Sequence, residues 1–289
     1  MSGCQSVFKR KETKYVISDK EMEELLSLIE DNLVPDYYFE SDITSTYYDT
    51  PGYEIIEHSL SKPKFKEKLR VRTYGKDTVF VELKKKFNGI VYKRRIEMTP
   101  AAAKAWMSGE MGFADAVEAY GSPEEYGYRP RQISREVDAY VASYDELSPS
   151  MEIHARRFSY HGKDDATMRI TFDTEIGYVD LRGGDGQLTS LIDGIVMEIK
   201  VADAYPMWLV DALSKLRIYP TSFSKYGNAY RKVCPKPASG NVRTDKGQIV
   251  KTEKPCEPAA RKLFAAISRV LPKGIVLHPR KAAMLAKEA

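Results

Sequence analysis

KFKEKLRVR, residues 64–72, places Lys66, Lys68, Arg70 and Arg72 at every second position. A β-strand sends successive side chains to opposite faces, so these four bases share one face and Phe65, Leu69 and Val71 share the other. The next run, VFVELKKK (79–86), repeats the device, with Glu82, Lys84 and Lys86 opposite Val79, Val81 and Leu83. The apolar faces need protein cover. The charged faces are left to line something wet and anionic.

Three further runs show the same inversion. RKETKY groups Arg10, Glu12 and Lys14. MRITFDTE groups Arg169, Thr171, Asp173 and Glu175 opposite Met168, Ile170 and Phe172. VMEIKV groups Glu198 and Lys200 opposite Met197, Ile199 and Val201. A solvated face with scattered ion pairs accounts for one such strand. Five together would align many cations on open surface, where they repel unless an anion or a carboxylate intervenes.

The charge is concentrated. Between Lys62 and Arg95 the chain carries 13 Lys and Arg against Glu67, Asp77 and Glu82, although the whole protein is only +4. One focused anion site fits this distribution. A general nucleic-acid coat fits it less well, because such domains usually exceed a pI of roughly 9, and here it is 8.7; no nucleic-acid partner is expected. The three cysteines, Cys4, Cys234 and Cys256, are widely spaced and form no CxxC, which suggests a reducing compartment without a zinc site. No apolar run approaches the ~18 residues of a membrane span, and the first residues lack the apolar core of a signal peptide. The expected location is the cytoplasm, with attachment to the inner face of a membrane only through a membrane-protein partner.

Strands are expected at about 8–16, 42–49, 65–74, 78–86, 90–98, 151–160, 167–173 and 195–201. The turns Tyr74-Gly75-Lys76-Asp77, Asn88-Gly89 and His161–Asp165 join several into hairpins. Ser18 and Glu21 form a capping box before a helix, Pro100 opens another, and further helices are expected at 112–120, within 129–146, at 206–216 and at 224–233. Eight antiparallel strands with polar inner faces suggest a closed barrel with flanking helices, an α+β fold. Residues 1–234 would form this domain, 235–257 a Pro- and Gly-rich linker, and 258–289 a helical tail with Leu263, Ala266, Ile267 and Val270 on one face.

Glu198, a carboxylate amid cations, reads either as a counter-ion or as the holder of a divalent ion that bridges phosphates. Arg156 and Arg157 are adjacent, so only one can point inward. Ser224 and Lys225 begin a helix, and a helix N-terminus favours anions. The chain lacks a P-loop. The glycines of LRGGDGQ lack a dinucleotide fingerprint's strand–helix context, and the four histidines share no ligand spacing.

KETKY, TSTYYDT, KLRVRTYG, VFVELK with KRR after it, RITFDTE, MEIK and FSKY occur here in one order. That series resembles the catalytic domain of the VTC polyphosphate polymerases, within the triphosphate tunnel metalloenzymes (the CYTH group), over about residues 8–232. The likeness is to a stand-alone bacterial-type member, without an SPX or membrane domain. It implies an eight-stranded tunnel that uses ATP, with Mn²⁺ or Mg²⁺, to extend inorganic phosphate or pyrophosphate into polyphosphate. It implies phosphate-binding roles for Lys14, Arg70, Arg72, Lys84, Lys93, Arg157, Arg169 and Lys225, with Ser224 beside the last. Lys68 and Lys200 join them by strand parity, and Glu198 falls on the metal position. Lys93 against Arg94 or Arg95 is open by one register step. The family often has Tyr where this chain has Ala155. In this picture Arg70, Arg72, Lys84, Arg169 and Lys225 carry the transfer itself.

Two rival readings remain at this point. One is a triphosphatase of the same fold, weakened because Arg10 stands at the first position of the hydrolases' ExExK pattern. The other is a polyphosphate-binding module without turnover.

Overall fold

The computed structural model describes residues 11–75, 78–88, 90–121, 128–235, 242–243 and 249–250. The long strands are β1 (Lys11–Ile17), β2 (Leu33–Asp49), β3 (Phe65–Tyr74), β4 (Thr78–Phe87), β5 (Ile90–Met98), β6 (Ser148–Gly162), β7 (Arg169–Asp180) and β9 (Ile195–Val201), with a two-residue β8 (Thr189–Ser190). The long strands are joined antiparallel in the order β1-β9-β7-β6-β2-β3-β4-β5, and β8 adds to β7. This is the expected eight-stranded sheet. It rolls far enough that side chains from every long strand line one cavity. The hydrogen-bonded path ends at β1 on one side and β5 on the other. Glu12 of β1 and Lys93 of β5 nonetheless line the same cavity, so the two ends of the sheet face one space.

Turn chemistry sets the hairpins. Gly75 after β3 and Asn88 after β4 both take positive φ (59° and 46°), which Gly adopts freely and Asn tolerates. The ladder between β3 and β4 then pairs Lys68 with Lys84 and Arg70 with Glu82, and that between β4 and β5 pairs Lys84 with Lys93.

Helices pack on the sheet in three groups, the first two on its convex face. α1 (Asp19–Ile29), opened by the Ser18–Glu21 capping box, and α6 (Met207–Lys215) bury Leu25, Ile29, Leu209 and Leu213 against Tyr15, Ile170, Phe172 and Ile199. α3 (Pro100–Met107), α4 (Phe113–Tyr120) and α5 (Tyr128–Ala142) bury Ala102, Phe113, Val117 and Val137 against Leu69, Val71, Val81 and Leu83. Burying an aliphatic side chain contributes roughly 1.5–3 kcal/mol, so these clusters fix which face of the sheet points inward. The third group, α2 (Glu54–Leu60) and α7 (Lys225–Val233), packs Ile56, Tyr226 and Tyr230 on Met151, Ile153 and Val196 and borders the cavity.

Three differences from expectation have local causes. β2 starts at Leu33 rather than near 42, and its register with β6 shifts between Pro35 and Glu40. β7 runs on to Asp180, and the β6–β7 register shifts between His154 and Arg156. Glu175 takes φ 49° there and turns out toward Arg156 and solvent, away from the face it was expected to share with Arg169 and Asp173. α2 was not anticipated. Its N-cap, Tyr53, has a left-handed backbone and no capping side chain, so the usual start signal is missing. Asp49 supplies the cap from a distance by accepting from Ile55 N and Ile56 N.

Arg10 and the tail 258–289 lie outside the described residues. Within the expected linker, β10 (Val242–Arg243) pairs with β11 (Ile249–Val250). Among the described residues no helix is long and apolar enough to cross a membrane.

Candidate functional site

The concave face of the sheet encloses a cavity of about 370 Å³. All twelve residues singled out from the sequence line it: Lys14, Lys68, Arg70, Arg72, Lys84, Lys93, Arg157, Arg169, Glu198, Lys200, Ser224 and Lys225. Strand parity decides the open choices. Lys93 and Arg95 face the cavity, while Arg94 pairs with Glu136 on the convex side. Arg157 faces inward, and Arg156 pairs with Glu40 outside. Lys66 and Lys86 share the parity but not the cavity. The Lys66 ammonium instead donates to the Ser59 carbonyl at 3.3 Å.

Three nearly sealed carboxylates organise the cations. Glu82 on β4 is 1% exposed and accepts from Arg70 Nε at 2.6 Å, with Lys93 Nζ at 2.5 Å and Arg95 at 3.7 Å. Asp173 on β7, also 1% exposed, takes a bidentate pair from Arg157 at 2.6 and 2.7 Å and a contact from Lys225. Glu198 on β9 pairs with Lys200 and lies 3.5 Å from Lys14. Burial alone would raise all three carboxyls. Arg70 and Lys93 hold Glu82 well below the usual range, Arg157 and Lys225 do so for Asp173, and Lys200 and Lys14 for Glu198. Lys225 is itself brought down to about 8 by burial and by Arg157, because it must share Asp173 with that guanidinium. Ser224 caps α7 by accepting from Gly227 N, which aims the start of that helix at the cavity.

Arg72, Lys68 and Lys84 have no carboxylate in ion-pair contact among the described residues. Arg72 donates to Ser45 Oγ at 3.0 Å and to the Tyr74 hydroxyl at 3.5 Å. Burial lowers Lys84, and burial with Lys66 and Lys84 nearby takes Lys68 to about 8 against the pull of Tyr47. Ammonium groups forced toward neutrality in this way gain most from an incoming anion. Arg169 sits differently from the rest. It is half-exposed and held by Asp36 at 2.6 Å.

Sequence patterning missed three contributors. Glu82 and Asp173 were seen as strand residues but not as the hubs of the cation network. Tyr47 was not singled out at all, although its hydroxyl accepts from Arg70 Nη1 at 3.0 Å inside the cavity. Its inward neighbours on β2, Ile43 and Ser45, carry no charge, so parity gave no signal there.

No group of three or more His, Cys, Asp or Glu suited to a metal occurs among the described residues, which leaves no all-protein cage. A hard cation of the Mg²⁺ type is commonly held by one or two carboxylates together with substrate phosphates. Glu198, a largely buried carboxylate in the cavity wall beside Lys200 and Lys14, is the kind of donor that arrangement uses.

A rolled antiparallel sheet with this cationic concave face defines the triphosphate tunnel class. A family model described as the VTC domain matches residues 9–234, and the chain belongs to that family. No curated protein matches the sequence. Similar solved structures include a candidate adenylate cyclase from Bacillus halodurans (12% identity, TM-score 0.46, 76% of this chain and 96% of that one). Another is HpAC1 from Hippeastrum, described as having a dominant triphosphatase activity (14%, 0.45, 77% and 95%). A third is PH1819 from Pyrococcus horikoshii (14%, 0.40, 77% and 99%). These likenesses are remote, and family membership does not rest on them.

Proposed function

We propose that the chain is an ATP-dependent polyphosphate polymerase, moving the γ-phosphoryl group of ATP onto phosphate, pyrophosphate or a growing polyphosphate end. One observation carries this choice over hydrolysis. Among the described residues every carboxylate lining the cavity, Glu12, Glu82, Asp173 and Glu198, is engaged with a cation, and no histidine lines it. The cavity therefore offers no unengaged carboxylate or imidazole to activate water. A phosphate acceptor is already ionised and needs none.

Phosphoryl transfer asks for position and charge neutralisation. An acceptor oxygen attacks the γ-phosphorus in line, and the bond from that phosphorus to the β–γ bridging oxygen breaks, releasing ADP. Arg70 and Arg72 present forked donors to phosphate oxygens, while Lys68, Lys84 and Lys93 supply compact charges on the same wall. Arg157, Lys225, Lys14 and Lys200 complete the opposite wall, and Arg169 meets phosphates at the half-exposed margin. Glu198 would hold Mn²⁺ or Mg²⁺, whose charge stabilises the leaving diphosphate.

The test is incubation with ATP and Mn²⁺, followed by a gel stained for polyphosphate. A ladder is expected, and Glu198→Gln should raise the metal concentration needed for half-maximal synthesis while retaining polyphosphate binding. Free phosphate without a ladder would turn the reading to a triphosphatase. Neither product would leave a binding module.

A further inference from the structure

Tyr47 stands where the cavity's cations are densest, and it is held there. Its hydroxyl accepts from Arg70 Nη1 at 3.0 Å, and the Arg70 guanidinium carbon lies 5.8 Å from its ring centroid. The ring stacks on Tyr226 with centroids 4.5 Å apart and planes 13° apart. Tyr226 is pinned in turn, donating to Asp49 Oδ2 at 2.7 Å with Ser150 Oγ at 2.8 Å. Tyr47 thus cannot swing away from Arg70 without breaking a stack whose far side is anchored.

The charges around this phenol are almost all positive. Lys68, Arg70 and Arg72 come from β3, and Lys14 comes from β1. Glu82 of β4 is turned to Arg70 and Lys93. From α7 the neighbour is Tyr226, whose phenol is pushed up by burial and Asp49 and stays neutral. On β6, Met151 pairs with Tyr47 and brings no charge. Burial favours the neutral Tyr47 phenol, but Arg70, Arg72 and Lys68 outweigh it and bring it down to about 7.

We propose that Tyr47 is the resident anion of the empty cavity: its phenolate oxygen partners Arg70 until a polyphosphate anion replaces it, and the phenolate then takes up one proton from solvent. This rests on the reading of the cavity as a polyphosphate site. No covalent bond changes. Phosphate oxygens neutralise Arg70, Arg72 and Lys68, and the field that kept the phenol ionised disappears. Binding is thereby linked to proton uptake, so affinity should fall as pH rises above the empty-cavity value, by up to about tenfold per pH unit.

Lysines would gain protons in the same direction, since Lys68, Lys93 and Lys225 all titrate near 8. The readout must therefore be specific to tyrosine. Tripolyphosphate is titrated into the full chain at mildly alkaline pH, with binding followed by calorimetry and tyrosinate by its near-ultraviolet absorption. Saturation should remove the absorption of one tyrosinate per chain. Tyr47→Phe should show no such loss and should bind with a weaker pH dependence. Binding with an unchanged tyrosinate band in the wild type, or the same loss in Tyr47→Phe, would overturn the proposal. No calorimetric binding in the wild type would instead remove the polyphosphate reading of the cavity, and this proposal with it.

Discussion

The wall built by β1, β9, β7 and β6 and the wall built by β2, β3, β4 and β5 face each other across one cavity, yet they carry charge differently. On the first, Lys14, Lys200, Arg157 and Lys225, the last from the adjoining start of α7, are matched against Glu12, Glu198 and Asp173 in close ion pairs. On the second, among the described residues, Glu82 is the one cavity carboxylate set against Lys68, Arg70, Arg72, Lys84, Lys93 and Arg95. The first wall is assembled before any ligand arrives. The second is held together at an electrostatic cost that an anion would relieve. Paired and unpaired cations are thus divided between two halves of one sheet.

Single substitutions should separate the halves. Arg72→Ala removes a cation that leaves no carboxylate behind, so it should lower polymer synthesis by roughly 10²-fold or more, the scale for a preorganised charge donor. Its melting temperature should hold or rise. Asp173→Asn should act in the opposite sense, because Arg157 and Lys225 lose their shared counter-ion. Breaking a buried pair from one side costs about 3 kcal/mol, so thermal unfolding should register it before activity is considered. A thermally silent Asp173→Asn, or an Arg72→Ala with full turnover, would erase the distinction between the walls.

How much of this was legible in the sequence follows the same division. The second wall was written in strict alternation, KLRVR and VELK, and parity alone put Lys68, Arg70, Arg72 and Lys84 on one face. The coverings were legible too, through the Ser18–Glu21 box and Pro100. Parity fails where a strand is irregular. The bulge beside Ala155 turns Glu175 outward, and the register shift in β2 hides that strand's first half. It is equally blind to contacts between distant elements. Asp49 caps α2 from the end of β2, and Tyr47 gains its place from Tyr226, far along the chain. Neither residue differs locally from an ordinary aromatic or acidic strand residue.

A smaller effect should appear with pH. On the second wall Tyr47 falls from its ordinary 10 to about 7, and Lys68 and Lys93 fall from 10.5 to about 8. In these windows the unfolded chain binds more protons than the folded one, so stability of the ligand-free protein rises with pH between about 7 and 10. The gain is fully lost again as pH drops below the folded values. Melting temperatures across this range should climb by about a few degrees, and saturating tripolyphosphate should flatten the climb. A steady fall from neutral to alkaline pH would show that the second wall carries no such strain.

The central claim is that an anion completes the second wall. Calorimetric titration of tripolyphosphate into the wild type and Arg72→Ala, each at low and at high ionic strength, tests it most directly. Tight binding at low salt that weakens steeply with added salt is expected, with a shallower salt dependence and lower affinity in Arg72→Ala. Equal affinity in both proteins, unmoved by salt, would contradict the account.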